Sequence, residues 1–272
     1  MKALLEPIKE IARFDELFRD LKKGTAGVTV ISGCLESQKA HMIAGLSEDA
    51  PVRLLIAENE VNAKELYEDY RLYDAETLYY PAKDLIFYQA DIHGNLLIRQ
   101  RLQVIQALLE RKEVTIITSV GGCMDFLLPL GVFEKHCIHQ RNVRAHVLDK
   151  IRKELVRLGY ESTFQVESTG QFSVRGGILD IYPLTEQNPI RIELWGDEID
   201  SIRSFDAERQ RSIAHLEEIT IYPASELILT EDTIARGVKA IKKEAKAQST
   251  KFRDKMMTEE AARIRPAAEE IC

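Results

Sequence analysis

The chain has 272 residues, 45% hydrophobic and 30% charged, which predicts about two globular domains. Its 37 basic and 44 acidic side chains give a net charge of −7, which argues against a protein that coats nucleic acid through bulk positive charge. No apolar run reaches about 18 residues, so no membrane-spanning helix is expected. Four widely separated cysteines without a CxxC pair predict reduced thiols and a cytoplasmic protein.

Helical and strand patterns alternate in the first part of the chain. The predicted elements, in chain order, are helix 2–23, strand Val28–Ile31, helix 36–47, strand Val52–Ala57, helix 61–72, strand Thr77–Tyr80, helix 95–111 and strand Val114–Thr118. Apolar strands that alternate with helices predict a parallel sheet covered on both faces, and therefore an α/β fold.

The pattern changes after about residue 124. A basic helix over 146–158 precedes a strand-rich region, which predicts a small α+β domain. The predicted strands are Phe164–Glu167, Phe172–Arg175, Ile178–Tyr182, Ile190–Trp195, Glu198–Phe205 and Ile219–Tyr222. From about residue 230 the chain is helical, charged and thinly apolar, and we expect it to be an excerpt from a longer protein.

The segment Gly33–Ala40 lies where a P-loop would lie, between a predicted strand and a helix. The pattern G-x-x-x-x-G-K-[ST] needs a second glycine for close approach to phosphate and a hydroxyl for Mg²⁺. Here Gln38 replaces that glycine and Ala40 replaces the hydroxyl residue, while Gly33 and Lys39 remain. We interpret the segment as a degenerate P-loop, with chance similarity as the alternative, and predict no catalytic residue and no cofactor for this chain.

Other clusters carry weaker signals. Cys123, His136, Cys137 and His139 form the one Cys/His cluster, but their spacing favours ordinary polar residues, so no metal site is predicted. Two basic stretches, Arg141–Tyr160 and Lys239–Lys255, are either docking faces or, as is more usual for a run of charge, solvated helix faces.

One part of the chain is more specific than any of these patterns. It comprises Gln171–Pro183, Ile190–Asp206 and Gln210–Ser212, and it resembles the N-terminal UvrB-homology module of the bacterial transcription-repair coupling factor (Mfd) family, which the excision-repair protein UvrB shares. Upstream, Ile98–Ser119 resembles the same family's helix and following strand. With the degenerate P-loop, the resemblance covers most of residues 20–225.

The resemblance implies three parts. Residues 1–124 would form a helicase-like, RecA-like parallel-sheet lobe, 125–212 an inserted small α+β domain, and 213–272 a return segment that completes the first lobe. UvrB has an intact P-loop and a long aromatic-rich hairpin that grips damaged DNA. Here the P-loop is degenerate and only Ala82–His93 separate Pro81 from the next helix, as in the coupling factor's module, whose ATP- and Mg-dependent translocase part lies elsewhere.

The resemblance also implies partner-binding residues. In the family the inserted domain binds UvrA through surface arginines, and a guanidinium suits an interface because it forms bidentate bonds to carboxylates. Arg175 occupies a family arginine position and should point outward from its strand; the alternative is a local pair with a strand carboxylate. Ser162, after Glu161, and Ser173, after Gln171, stand where family members have further arginines.

The leading prediction is a non-catalytic module that recruits UvrA in transcription-coupled nucleotide excision repair. For the intact parent, the resemblance implies RNA polymerase and double-stranded DNA as further partners, and a domain that masks the UvrA-binding surface. One alternative is a UvrB-type ATP-dependent DNA-processing enzyme, against which Gln38 and Ala40 argue. The other is direct DNA binding through the basic helix at 239–255.

Overall fold

A computed structural model describes residues 2–11, 13–24, 27–83, 91–139, 148–196, 198–228 and 230–271. The helices are α1 (Lys2–Leu5), α2 (Phe14–Lys22), α3 (Glu36–Leu46), α4 (Glu60–Tyr70), α5 (Asp91–Leu109), α6 (Val120–Met124), α7 (Leu130–Lys135), α8 (Leu148–Arg157), α9 (Glu231–Asp254) and α10 (Thr258–Ile271), with a 3₁₀ helix at Glu6–Glu10. The strands are β1 (Val52–Ala57), β2 (Thr77–Tyr80), β3 (Val114–Ser119), β4 (Ile138–His139), β5 (Glu161–Ser162), β6 (Gln171–Arg175), β7 (Ile178–Ile181), β8 (Ile190–Trp195), β9 (Glu198–Phe205), β10 (Ser212–His215) and β11 (Thr220–Ile221).

The first part of the chain forms a parallel three-stranded sheet in the order β1-β3-β2. The β-branched residues of β3 favour a strand, and all six residues of β3 are buried. Helices α3 and α4 pack on one face of this sheet around Leu55 and Ile117. Helix α5 packs on the other face, over β2 and β3. The predicted α/β class with a parallel sheet is therefore confirmed.

The predicted buried strand Val28–Ile31 is wrong. Residues 27–32 have no strand assignment, and Val28 and Val30 are 94% and 84% exposed. β-Branched residues favour extended backbone, but a strand also needs a neighbour, and among the described residues the edge strand β1 pairs with β3 alone. The helicase-like, P-loop character of the lobe stays a prediction.

The predicted helix 2–23 is also interrupted. Ile11 has extended backbone after the 3₁₀ helix, and Arg13 has φ +69° before α2 begins at Phe14. Pro7 lies at the start of the 3₁₀ helix, where its fixed φ and missing N–H are tolerated. The short connection Ala82–His93 lies mostly outside the described residues, so the predicted loss of the DNA-gripping hairpin stays a prediction.

The second part of the chain forms a six-stranded sheet in the order β10-β9-β8-β7-β6-β5. All its pairs are antiparallel except β5 with β6. Phe172, Leu179, Ile181 and Ile192 lie on its apolar face and are fully buried. The core continues into α8 and α5, where Leu102 and Ile105 contribute, so the two sheets share α5. The predicted boundaries near residues 124 and 212 stay predictions.

The short strands β4 and β11 pair at the place where the chain enters and leaves the region of the six-stranded sheet. In the antiparallel pair of β4 and β11, Ile138 lies opposite Ile221. The predicted strand Phe164–Glu167 is wrong, because these residues form a bend in which the Thr163 hydroxyl donates to the Gln165 carbonyl (3.0 Å).

Helices α9 and α10 form a hairpin. The Ser249 hydroxyl donates to the Ala261 carbonyl (3.0 Å), and both residues are buried between the helices. No described residue after Ile228 belongs to any of the three hydrophobic cores. No described helix is long and apolar enough to cross a membrane.

Candidate functional site

The candidate partner-binding site is the polar face of the six-stranded sheet. Side chains alternate between the two faces of a strand, so Phe172 and Val174 on β6 point into the core while Ser173 and Arg175 lie on the opposite face. Ser173 lies directly opposite Asp180 on β7, and Asp180 lies opposite Arg191 on β8. The register therefore brings polar residues from three strands into one row.

Asp180 is the centre of this row. Its side chain is 1% exposed and accepts hydrogen bonds from two guanidinium groups. Arg191 binds both carboxylate oxygens, with Nε–Oδ1 and Nη2–Oδ2 distances of 2.6 and 2.8 Å. Arg175 binds through Nη2 at 2.9 Å from Oδ2. The hydrogen bonds between Arg191 and Asp180 raise the pKa of Arg191. A buried carboxylate needs such compensation, so Asp180 fixes the position of both arginines.

Arg175 reaches the surface at the end of this row. Its side chain is 40% exposed, and its guanidinium lies 5.7 Å from the ring centroid of Phe164, which is 83% exposed. The turn that follows needs its two glycines. Gly176 has φ +57°, and a Cβ on Gly177 would lie 2.8 Å from the Leu194 carbonyl oxygen. The double glycine thus lets β6 and β7 turn tightly beside Arg175.

The other predicted site residues differ in accessibility. Glu161 and Ser162 are exposed on β5, the edge strand next to β6. Gln171 is half-buried, and its side-chain oxygen accepts from the backbone amides of Glu167 and Ser168 (3.0 and 3.1 Å). Ser173 is buried, and its hydroxyl donates to the Phe164 carbonyl (2.8 Å). Gln171 and Ser173 therefore shape the loop that presents Phe164.

Farther along the sheet, the polar row continues with a second ion pair. Glu193 accepts from the Ser201 hydroxyl (2.9 Å) and pairs with Arg203. Partial burial raises the pKa of Glu193, but the Ser201 hydrogen bond and the Arg203 guanidinium outweigh it, so the pKa is lowered overall. Arg191 also stacks on Phe205, 4.7 Å from the ring centroid.

Sequence reasoning missed a second polar cluster, centred on Arg101 of α5. Arg101 is 1% exposed and pairs with Glu226 and Asp125 (3.0 Å to the latter). It also donates to the Pro81 carbonyl (2.6 Å) and the Tyr80 hydroxyl (2.5 Å). Burial raises the pKa of Tyr80 to about 12, although Arg101 lowers it. The cluster lies beyond the carboxyl end of β2 and joins four segments distant in sequence.

Around this cluster the ionic contacts extend to the surface. Lys83 Nζ pairs with Glu226 (2.9 Å), and its backbone amide donates to Asp125 (2.7 Å). Nearby, Glu60 accepts from the hydroxyls of Tyr79 (2.5 Å) and Ser119. Ligands of open α/β sheets bind outside the carboxyl ends of the strands. Here the protein's own side chains fill part of that region.

Hydrogen bonds and an ion pair within the segment Gly33–Ala40, which the sequence predicts to be a degenerate P-loop, occupy several of its polar groups. Gly33 has φ +83°, and α3 begins at Glu36. The Gln38 side chain accepts from the Leu35 amide (3.1 Å), so it caps the amino end of α3. Lys39 pairs with Glu36 (2.7 Å), and Ala40 is buried. Gln38, which replaces the second glycine of the P-loop pattern, therefore occupies the Leu35 amide at the start of α3.

The predicted Cys/His cluster does not come together as a ligand set. His136 bonds the Val132 carbonyl and His139 the Thr220 hydroxyl (2.8 and 3.1 Å). Burial raises the pKa of Cys137 to about 11, whereas a metal ligand must be a thiolate. Among the described residues, no group of three or more His, Cys, Asp or Glu is placed to hold a metal ion.

Comparison with known proteins gives two findings. The family described as "UvrB interaction domain" matches residues 141–227. The transcription-repair-coupling factor of Bacillus subtilis (strain 168) is 34% identical over 243 residues, which are 84% of this chain and 21% of that protein. That of Staphylococcus aureus (strain USA300) is 37% identical over 240 residues, 86% of this chain and 20% of that protein.

The chain thus spans about a fifth of the length of the curated relatives it matches. The polar row of β6, β7 and β8 lies inside the matched residues 141–227. The resemblance deduced from Gln171–Ser212 is confirmed. The chain is thus similar to about a fifth of each of these transcription-repair-coupling factors, and its residues 141–227 match the UvrB interaction domain.

Proposed function

We propose that this chain is a non-catalytic recruitment module that binds UvrA in transcription-coupled nucleotide excision repair. The match to the UvrB interaction domain and the similarity to transcription-repair-coupling factors support a role in this process. The single observation that carries the proposal is the exposed pair of Arg175 and Phe164 on the polar face of that domain, in which buried Asp180 holds Arg175 beside the Phe164 ring.

The geometry suits a binding hot spot. Arginine is one of the residue types enriched in binding hot spots, and phenylalanine is among the aromatic residues enriched at interfaces. Of the Arg175 nitrogens, only Nη2 bonds a described residue, so the rest of the guanidinium is available to a carboxylate of the partner. Because Asp180 already holds the side chain, less rotamer entropy is lost on binding.

The neighbouring edge strand extends this surface. Glu161 and Ser162 on β5 are exposed next to β6, at the rim of the Arg175–Phe164 pair. Polar rim residues contribute little affinity individually but exclude water from the centre of an interface. We therefore assign the main binding energy to Arg175 and Phe164, and complementarity to Glu161 and Ser162.

The non-catalytic part of the proposal is supported by the P-loop segment. A phosphate-binding loop needs free backbone amides and an unpaired lysine. Gln38 bonds the Leu35 amide, and Lys39 pairs with Glu36. We expect titration with ATP and Mg²⁺ to give no saturable heat in calorimetry. Saturable binding would instead favour the UvrB-type enzyme.

The test of UvrA binding uses purified UvrA and isothermal titration calorimetry. Arg175→Ala should weaken binding by at least about 30-fold, the loss expected at a hot spot. Arg175→Lys should recover only part of the affinity, because an ammonium lacks the bidentate fork. Phe164→Ala should also weaken binding. Circular dichroism checks that each variant is folded, as Asp180 keeps its bonds to Arg191.

Arg209→Ala is the matched control. Arg209 is an exposed arginine of the same domain, in the turn between β9 and β10. This turn contacts the loop of Phe164 through Gln210, whose side chain donates to the Val166 carbonyl (3.4 Å), but among the described residues no hydrogen bond or ring contact joins Arg209 to Arg175 or Phe164. Binding should be unchanged in this variant. Wild-type affinity from Arg175→Ala would contradict the site, and no binding by the wild-type chain would contradict the function.

A further inference from the structure

The hairpin of α9 and α10 carries a charged surface and contributes no described residue to the hydrophobic cores of the two sheets. Helix α9 has 24 residues, or about 36 Å at the standard rise. It packs on α10 through Ser249 and Ala261, and no described residue after Ile228 enters the three cores. Among its described residues, most of the rest of the α9 surface is exposed.

Five cations lie along one side of α9. Lys239, Lys242, Lys243 and Lys246 follow the spacing i, i+3, i+4 and i+7, and Arg253 comes seven residues later. Residues at this spacing share one face of a helix. The stripe spans 14 residues of rise, or about 21 Å. All five residues are exposed, and none forms an ion pair with a described residue.

Opposite charge within the stretch is scarce. Lys239–Lys255 contains seven basic and two acidic residues, in a chain whose net charge is −7. Glu244 lies about 100° or more around the helix from Lys239, Lys243 and Lys246 at 100° per residue. Asp254 follows the last cation of the stripe. An exposed array of cations with no ion-pair partner among the described residues is stabilised by a polyanion that lies along it.

We propose that this stripe binds the phosphate backbone of duplex DNA without sequence preference. Lysine presents a compact point charge that suits phosphate contacts in any register. Single-stranded nucleic acid is usually held by aromatic stacking as well as charge, and the stripe carries no aromatic residue: Phe252 lies on the α10 side of α9 and is half-buried. Acidic protein surfaces are better matched by arginine forks, of which the stripe has one, at Arg253.

The experiment measures fluorescence anisotropy of a labelled 25-base-pair duplex titrated with the whole chain at 50 to 200 mM NaCl. Four or five phosphate contacts predict a slope of log K against log[salt] of about −4. Over that fourfold change in salt the affinity should fall by at least about 100-fold. The variant K239Q/K242Q/K243Q/K246Q should lose most of this slope and bind at least about 100-fold more weakly at 50 mM NaCl.

A control with equal charge change is K23Q/K64Q/K135Q/K150Q, which alters four exposed lysines outside the hairpin. It should bind duplex like the wild-type chain. The stripe is overturned if its variant binds as wild type, or if the control loses as much affinity. Tighter binding of a single strand, or equal competition by poly-L-glutamate, would overturn duplex DNA as the ligand.

Circular dichroism and UvrA calorimetry complete the design. The stripe variant should keep its helical signal, since exposed lysine and glutamine have similar helix propensities. It should also bind UvrA like the wild-type chain, because Arg175 lies on another element. Failure of DNA binding would therefore leave the proposed function intact, and loss of UvrA binding alone would leave the DNA site intact.

Discussion

The three-stranded and six-stranded sheets differ in how fully they cover their apolar faces. In the six-stranded sheet, Phe172, Leu179 and Ile192 are buried under α8 and α5. In the three-stranded sheet, alternate residues of the edge strand, Val52, Leu54 and Ile56, remain about half exposed. Helix α5 covers β2 and β3 and stops short of β1. The region of the six-stranded sheet, here called the interaction domain because residues 141–227 match that family, therefore has a closed core. Among the described residues, the region of the three-stranded sheet, here called the open lobe, is uncovered at the β1 edge.

Arg101 joins the two regions through its ion pairs with Asp125 and Glu226, so we expect its removal to have the largest effect on stability. In Arg101→Leu the carboxylates of Glu226 and Asp125 lose their buried counter-charge. Breaking a buried pair by removing one partner costs about 3–5 kcal/mol, and we expect the upper end. Urea unfolding monitored by circular dichroism measures the loss. Lys39→Gln, which breaks the exposed pair with Glu36, should change stability by less than about 1 kcal/mol.

A loss below about 1 kcal/mol in Arg101→Leu would contradict this prediction. Such a result would mean that the apolar residues of α5, such as Leu102 and Ile105, hold the two sheets together without a contribution from Arg101.

The contrast in core packing gives the next largest effect. Phe172→Ala removes a fully buried ring from the six-stranded sheet and should cost about 3–5 kcal/mol. Val30→Ala in the open lobe, at 84% exposure, should stay within about 0.5 kcal/mol. The difference in urea midpoints measures the contrast. A cost above about 1 kcal/mol for Val30→Ala would show that residues 27–32 are covered in solution.

A smaller effect tests the start of α3 in the open lobe. Gln38→Ala removes the side chain that accepts from the Leu35 amide, and loss of such a cap costs about 1 kcal/mol. Gln248→Ala, at an exposed interior position of α9, is the control and should be neutral or slightly stabilising. Thermal unfolding compares the two. Equal melting temperatures would contradict a capping role for Gln38.

The smallest effect concerns the polar face of the interaction domain and appears as a pH dependence. The pKa of Glu193 is lowered in the folded state, so its contribution is present above the unfolded pKa of about 4.3. It is lost as the pH falls through the lower, folded pKa. Glu193→Gln should therefore be less stable than wild type near pH 7, by under about 1 kcal/mol, and the gap should close as the pH drops below about 4.

Chemical unfolding at pH 3 to 7 checks this, with Glu208→Gln, an exposed carboxylate of the same domain, as control. A gap that widens toward pH 3 would reverse the sign and contradict the assignment of Ser201 and Arg203 as the groups that stabilise the Glu193 carboxylate.

In the interaction domain the four central strands were predictable from the sequence, although the strand predicted at Phe164–Glu167 is wrong. Strands β6 to β9 lie where turn signals and alternating residues placed them, because a hairpin is specified by neighbours in sequence. The strand predicted at Val28–Ile31 is wrong because its β-branched residues give only a propensity for extended backbone. A strand also needs a pairing partner, and the local sequence does not show whether a distant segment supplies one.

In the candidate site, the direction of Arg175 could be predicted from the sequence, but the particular residue that holds its side chain could not. Alternation along β6 predicts Arg175 on the face of the strand away from Phe172, and the structure has it there. The structure also pairs Arg175 with a strand carboxylate, Asp180, which is the alternative that the sequence allows. The Arg101–Glu226 pair joins residues 125 positions apart. The sequence shows that Arg101 and Glu226 have opposite charges but not that they are neighbours in space. This cluster could therefore be found only from the structure.

The pairing of β4 with β11 has a consequence for how this chain can be rearranged. Since Ile138 lies opposite Ile221, the chain enters and leaves the interaction domain at one place, and adjacent ends favour grafting into another host. The core of the domain nevertheless includes Leu102 and Ile105 of α5. A graft of residues 138–221 alone would leave that apolar surface in water, so we expect a transplanted domain to need a substitute for α5 supplied by its new host.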